Sequence, residues 1–342
     1  MPDIAPYGAW KSPITSDWLA GQSVRLSEII LDGEDVYWLE GRPKEGGRNA
    51  LVRLRPGGAP TDCLPPEFNV RTRVHEYGGG AYTVYDGVIY FVHFKDQRLY
   101  RQRPGEMPEP LTPAADFRYA DFILDRSRNR LIAVREDHTH NGEPVNTLVA
   151  IALDGSGEQT VLVQGYDFFS TPRLSPDGRR LAYLAWNHPN MPWDGNELWV
   201  ASLQADGSVG ERHLVAGGRQ ESIFQPEWSP QGILYFVSDR HGWWNLYRWT
   251  GEAIEALALR PAEFGVPQWL FGLRTYAFLD EGNLVCAYTE GDGFWHLGRL
   301  ETASGRLTPL DLPFTQYSWI QAHGRFVFFL AASPEEPMVC AA

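Results

Sequence analysis

The side chains best suited to chemistry lie in one short stretch, residues 73–82, RVHEYGGGAY. Arg73, His75 and Glu76 bring a guanidinium, an imidazole and a carboxylate to the edge of three consecutive glycines, Gly78, Gly79 and Gly80. A carboxylate held in a loop can bind an amine or pair with an arginine. Three glycines give the backbone access to positive φ and let a second backbone approach closely. A β-like run begins directly afterwards, at residues 81–85, so the stretch reads as a loop placed by a rigid scaffold. A phosphate cradle would need a helix N-terminus next, and none follows.

Three further loops carry polar and aromatic groups: EDHTHN at 136–141, NHPNMPWD at 187–194 and DRHGWW at 239–244. His138 and His140 could be two metal ligands. No third ligand stands at a recognisable spacing, so a solvated loop is the better reading and no metal or cofactor is expected. Trp193, Trp243 and Trp244 lie in these loops and suit either an interface or local packing. His75, Tyr77 and the loop tryptophans would form a wall around Glu76, whose carboxylate could otherwise make a purely structural ion pair with Arg73 or cap backbone N–H groups. Catalytic signatures are missing: there is no G-x-S-x-G elbow, no H-E-x-x-H and no P-loop. No residue is assigned as catalytic.

The elements that must position these loops come from an internal repeat. A β-branched or aromatic run recurs as VYWLE, VIYFV, LIAV, LAYLAW, ILYFV, LVCAY and FVFFL. A second run follows each of the first six, with leucines at Leu51, Leu99, Leu148, Leu198, Leu246 and Leu297. Their spacings are 48, 49, 50, 48 and 51 residues. Asp-Gly and Pro-Asp-Gly turns precede the first run of many units, and Gly supplies the φ > 0 such hairpins need. Four antiparallel strands repeated every ~40–50 residues are the mark of a β-propeller.

The expected fold is therefore all-β, a seven-bladed β-propeller of four-stranded antiparallel blades. The blades fall at roughly 25–65, 81–112, 118–164, 169–215, 223–257, 272–310 and 316–342, and the last is incomplete. Residues 1–24 form a separate N-terminal segment. Ser12 as N-cap, Pro13 at N1 and Gly21 as the stop suggest a short helix there. The unfinished blade either reflects a longer natural architecture or is completed by that segment. Its unpaired edge is expected to favour self-association.

Composition bounds the partners. The chain has 342 residues, is 43% hydrophobic and carries a formal net charge of −13. Nucleic acid and anionic membrane both need a cationic face, so neither is expected. Cys63, Cys286 and Cys340 form neither a disulfide framework nor a metal spacing. No signal-like or membrane-spanning run is present, and a cytoplasmic protein is the default.

RVHEYGGGAY, HPNMPWDGNELWVA at 188–201, SDRHGWWNLYR at 238–248 and PYGAWKSPIT at 6–15 together resemble the N-terminal propeller of the prolyl oligopeptidase family of serine peptidases. The bacterial dipeptidyl aminopeptidase/acylaminoacyl peptidase type is the most similar branch. The resemblance covers essentially the whole chain. It implies a seven-bladed propeller paired with a C-terminal α/β-hydrolase domain that carries Ser, Asp and His. The sequence ends where that domain would begin.

What the resemblance implies is a non-catalytic propeller that gates access and selects peptide substrates for the hydrolase. Glu76 would contact a substrate N-terminus or an arginine of the second domain. Trp10 and Trp18 would lie partly exposed. The alternatives are a free-standing propeller that binds a protein partner and a propeller enzyme of lactonase or glycosidase type.

Overall fold

A computed structural model of the chain describes residues 4–16 and 23–342. Seven antiparallel sheets follow one another along it. The first blade contains strands Arg25–Asp32, Asp35–Arg42, Arg48–Leu54 and Thr61–Asp62. The next five repeat that plan, and the seventh has three strands, Gln316–His323, Phe326–Ala332 and Val339–Ala341. None of the described residues of the N-terminal segment joins the seventh sheet. Half of the helix expected over residues 12–21, including Trp18, falls on residues 17–21, outside the described residues. Ser12 Oγ accepts the Ile14 amide at 3.1 Å, and Trp10 is 65% exposed.

Each blade is sandwiched between two others, so its strands are buried on both faces. That is why VIYFV, LAYLAW and ILYFV read as continuous apolar runs rather than alternating ones. Among the described residues the core divides into seven clusters, one at each junction between neighbouring blades. The ring closes where Trp319 and Leu330 of the seventh blade pack on Ile29, Val36 and Trp38 of the first. No strand is exchanged across that seam. Of the strand tryptophans, Trp38 and Trp249 are buried in blade packing and Trp199 is half-buried against it. The tight turns follow the sequence chemistry: Asp86 and Gly87 both take positive φ, 52° and 74°.

The innermost strands share a feature that the repeat did not announce. Five of them are broken by a bulge at a non-glycine residue with positive φ: Glu28, Asp121, Thr171, Gln225 and Trp319. A bulge frees one residue from the ladder and re-aims its side chain. Three of these side chains reach the next blade. Glu28 accepts the Ala81 amide at 3.1 Å, Asp121 accepts that of Thr171 at 2.7 Å, and Gln225 accepts that of Thr275 at 2.7 Å. The bulges thus tie neighbouring blades together around the axis. Glu28, Asp121 and Trp319 also line a central cavity of about 220 Å³ that holds Arg173, Glu227 and Arg274. Arg173 sits between Asp121, at 3.1 Å, and Glu227, at 2.9 Å.

Candidate functional site

The glycine-rich loop belongs to the connector between blades one and two, and its conformation is unusual before the glycines begin. His75 and Glu76 have φ of 53° and 65°, and Gly78, Gly79 and Gly80 continue with 72°, 88° and 57°. Non-glycine residues in this region carry strain that surrounding contacts must offset. The offsetting contacts come from blade three. Glu136, at the end of strand Arg130–Asp137, is buried and accepts the His75 amide at 2.7 Å. Its other oxygen faces His138 Nε2 at 3.1 Å and Arg118 Nη1 at 3.8 Å. Arg118 in turn reaches Glu76 at 3.3 Å and donates to the Arg73 carbonyl at 3.4 Å.

The partner of Glu76 is therefore Arg118, not Arg73. Its carboxylate remains 82% exposed despite that pair. His75 is enclosed by rings, with Phe271 at 4.8 Å, Phe168 at 5.1 Å and Trp186 at 5.6 Å between centroids. Burial pulls its pKa down to about 3, so the imidazole is neutral at ordinary pH. It serves here as a packed ring rather than a proton shuttle.

The glycines meet a second connector. Gly79 forms a parallel bridge with Phe271, which lies between blades five and six, and the Phe271 amide donates to the Gly78 carbonyl at 3.0 Å. A Cβ on Gly79 would stand 2.6 Å from the Phe271 carbonyl oxygen, and one on Gly78 would stand 2.5 Å from that of Thr72. On the far side, Gly272 lies beside Gly80 and the Trp319 ring. Blades two and six are nearly opposite in a ring of seven, so the two connectors meet across the axis and close this mouth of the channel.

Beside that closure lies a cavity of about 460 Å³, lined among others by His75, Glu76, Tyr77, Glu136, Trp193 and Trp269. Trp269 stands 4.3 Å from Trp193 and 5.0 Å from Tyr77 between ring centroids. The Trp193 loop is fixed by Asp194, which accepts the Met191 amide at 2.9 Å, and by Ser222, which donates to the Pro192 carbonyl at 2.9 Å. Four of the seven residues expected to form the site thus come together, His75, Glu76, Tyr77 and Trp193, and His138 lines the cavity with them. Three do not line the cavity. Arg73 lies over the Phe94 ring at 4.6 Å and its amide donates to Gln97. Trp243 is 40% exposed elsewhere, and Trp244 packs against Gly265 and Val237.

Arg118 and Trp269 escaped the sequence reading, and Glu136 entered it only as the first residue of the 136–141 loop, with no role assigned. Trp269 sits in FGVPQWLFG, a connector with no polar motif to draw attention to it. His140 faces Asp137 at 3.7 Å, and among the described residues no group of three His, Cys, Asp or Glu side chains could hold a metal ion. Among the same residues no helix is long and apolar enough to cross a membrane.

No family model matches the chain, and no curated protein does. Solved structures do. Puromycin hydrolase is 37% identical with a TM-score of 0.91, over 99% of this chain and 55% of its own. A Mycobacterium tuberculosis puromycin-hydrolyzing peptidase is 36% identical with a TM-score of 0.89, over 99% and 55%. A prolyl endopeptidase shares the fold with a TM-score of 0.68 at 11% identity, over 93% and 47%. The chain spans about half the length of each. In sequence, along nearly its whole length, this chain is similar to the puromycin-hydrolysing enzymes, and its seven-bladed fold is consistent with the propeller domain of a prolyl oligopeptidase-family peptidase.

Proposed function

We propose that the chain is the substrate-selecting, non-catalytic propeller of a peptidase of the dipeptidyl or acylaminoacyl type, working with a serine α/β-hydrolase domain. One observation carries the reading. Glu76 presents an exposed carboxylate at the rim of an aromatic cavity, and it stands in a positive-φ turn whose preceding residue, His75, is held through its amide by the buried Glu136. Strain of this kind persists where the surroundings over-determine it, which is common at binding sites. The closed channel mouth adds support for a gating role, because it steers a peptide towards the side of the ring where the cavity lies. Peptide enters as substrate, and Glu76 takes its N-terminal amine or an arginine of the hydrolase domain.

The test uses the propeller joined to a family hydrolase domain. Glu76→Gln should raise KM for peptides with a free N-terminus about tenfold, the loss of one charge-assisted contact. Unchanged KM and kcat would remove Glu76 from selection. Failure of the chain to associate with such a hydrolase domain would remove the reading as a whole.

A further inference from the structure

Arg73 stands apart from the cavity beside Glu76, and it has a companion. The Arg71 and Arg73 guanidiniums both lie over the Phe94 ring, at 4.8 and 4.6 Å from its centroid. The backbone fixes this cluster. The Arg71 amide donates to the Val92 carbonyl at 3.1 Å, and the Phe94 amide donates to the Asn69 carbonyl at 2.8 Å. The first connector is thereby laced to the end of strand Val88–Val92. Phe94 is half-buried, whereas Arg71, Arg73 and the neighbouring Lys95 are exposed.

A ring that covers the flat face of a guanidinium leaves its N–H edge free. Among the described residues, Arg71, Arg73 and Lys95 have no ion-pair partner, and neither guanidinium donates a hydrogen bond. Asp96 is the acid next in sequence, but its two oxygens take the Arg98 amide at 3.2 Å and the Tyr100 hydroxyl at 2.7 Å. The Arg98 guanidinium is engaged on the Thr112 carbonyl at 2.8 Å. Three positive charges are thus left together in a chain of net charge −13. A cationic ligand would add to their repulsion, and an apolar one would strand the N–H edges. A carboxylate relieves the repulsion and matches each edge with two parallel hydrogen bonds.

The two ring distances put the guanidinium centres within about 9 Å of each other. On an extended peptide, side chains two residues apart point the same way and stand about 7 Å apart. We propose that Arg71, Arg73 and Phe94 form a clamp for an acidic stretch of a peptide substrate, each guanidinium edge taking one of two carboxylates spaced two residues apart. The proposal rests on the reading of the propeller as a selecting domain and adds to it a side-chain class, recognised away from Glu76 and without a free amine.

The experiment is calorimetric titration, at low ionic strength, of the 342-residue chain with acetyl-Glu-Ala-Glu-amide and acetyl-Gln-Ala-Gln-amide. Both termini are blocked, so only the side chains differ. The acidic peptide should bind at one site, and its glutamine counterpart about tenfold or more weaker. Added salt should weaken the acidic peptide selectively. Overall charge cannot mimic this result, because the chain as a whole repels an acidic peptide. Arg71→Gln and Arg73→Gln should each cost about tenfold in affinity. Arg73→Lys should also weaken binding, since it keeps the charge and loses the fork. All three positions lie at the surface, and an unchanged far-UV spectrum establishes that each variant is folded. Joined to a hydrolase domain, the chain should favour the acidic sequence over its glutamine counterpart in kcat/KM, and the Arg71→Gln, Arg73→Gln double variant should lose that preference.

Equal binding of the glutamine peptide overturns the carboxylate assignment. Undiminished binding by the double variant overturns the clamp, and absence of binding overturns the site. Binding without any preference in kcat/KM overturns the assignment of the occupant as substrate. If the acidic peptide fails to bind while the joined protein still cleaves peptides, the inference falls and the selecting role stands.

Discussion

Gly79 and Phe271 pair backbone to backbone across the axis of the propeller, although they belong to connectors on nearly opposite sides of the ring. The contact explains why the loop needs glycine at this position and not merely flexibility. Gly79→Ala would place a methyl group 2.6 Å from the Phe271 oxygen and 2.7 Å from its nitrogen, at φ +88°. Backbone atoms cannot swing aside as a side chain can. The expected loss is about 2–4 kcal/mol, combining positive-φ strain with overpacking. Gly105→Ala is the control, since φ is +78° there and nothing lies within 4 Å. It should cost about 1 kcal/mol. Urea unfolding of both variants checks this; equal losses would show that the close approach does not select glycine.

Glu28 should make stability fall as pH rises. Burial in the channel wall, with Asp121 nearby, pushes its pKa up to about 7 against the hydrogen bond from Ala81. The folded state holds a proton that the unfolded chain releases near 4.5. The stabilisation is thus complete below about pH 4.5 and is lost as pH rises through about 7. The chain itself shows the neutral solution: Gln225 occupies the corresponding bulge and accepts the Thr275 amide through Oε1. Glu28→Gln should keep the bond to Ala81 and remove this downward contribution, so that stability between those two pH values slopes more positively than in the parent chain by up to one proton. A profile that keeps its slope in the variant would assign the slope to other groups.

His75 acts in the opposite direction over much of the same range. Its folded pKa of about 3 lies below the ordinary 6.5, because burial opposes the imidazolium. Below about pH 6.5 the unfolded chain takes up a proton that the fold excludes, so stability is full above that value and declines towards pH 3. His75→Phe keeps a ring among Phe168, Trp186 and Phe271 and removes the titration. The acid limb should become shallower by up to one proton, about 1.4 kcal/mol per pH unit. Thermal unfolding across the acid range measures it. An acid limb as steep as in the parent chain would mean that His75 is not buried neutral.

The legible and illegible parts of this molecule divide along physical lines. Blades were readable because each strand is covered on both sides, which writes an apolar run into the sequence, and because hairpins demand Asp-Gly or Pro-Asp-Gly. Leu148 and Leu198 kept the period for the same reason: both are fully buried at equivalent places. The loop at 73–82 was readable as a site because it mixes charge with glycine. Its neighbours were not. Glu136 ends an ordinary strand and becomes a buried acceptor only when the loop folds over it. Trp269 reaches the cavity through a connector whose path depends on the Gly79 pairing. The bulges at Glu28, Asp121 and Gln225 were also hidden, because an αL residue in mid-strand leaves no glycine to mark it. Trp243 and Trp244 looked equivalent to Trp193 in sequence, yet only Trp193 meets Trp269; Trp244 packs against Gly265 of the same connector, away from the cavity.

The seam between the first and last blades is the place where the ring should yield first. Every other junction is crossed by the chain itself, whereas this one is held by side chains and by the Gln321 amide bonding to the Ile29 carbonyl at 3.1 Å. Trp319 is central to it: 6% exposed, at φ 55°, with its ring against Gly272. Truncating a buried tryptophan typically costs about 3–5 kcal/mol. For Trp319→Ala the loss should be local as well as global. Hydrogen exchange should accelerate first in Arg25–Asp32 and Gln316–His323, because a segment that opens alone exchanges without unfolding the rest. Phe236→Ala, fully buried between the fourth and fifth blades, provides the comparison, since the chain there runs continuously from one blade to the next. It should lower protection evenly. If the two variants give the same exchange pattern, the first and seventh blades are joined as firmly as any other pair, and side-chain packing alone is enough to close a propeller of this size.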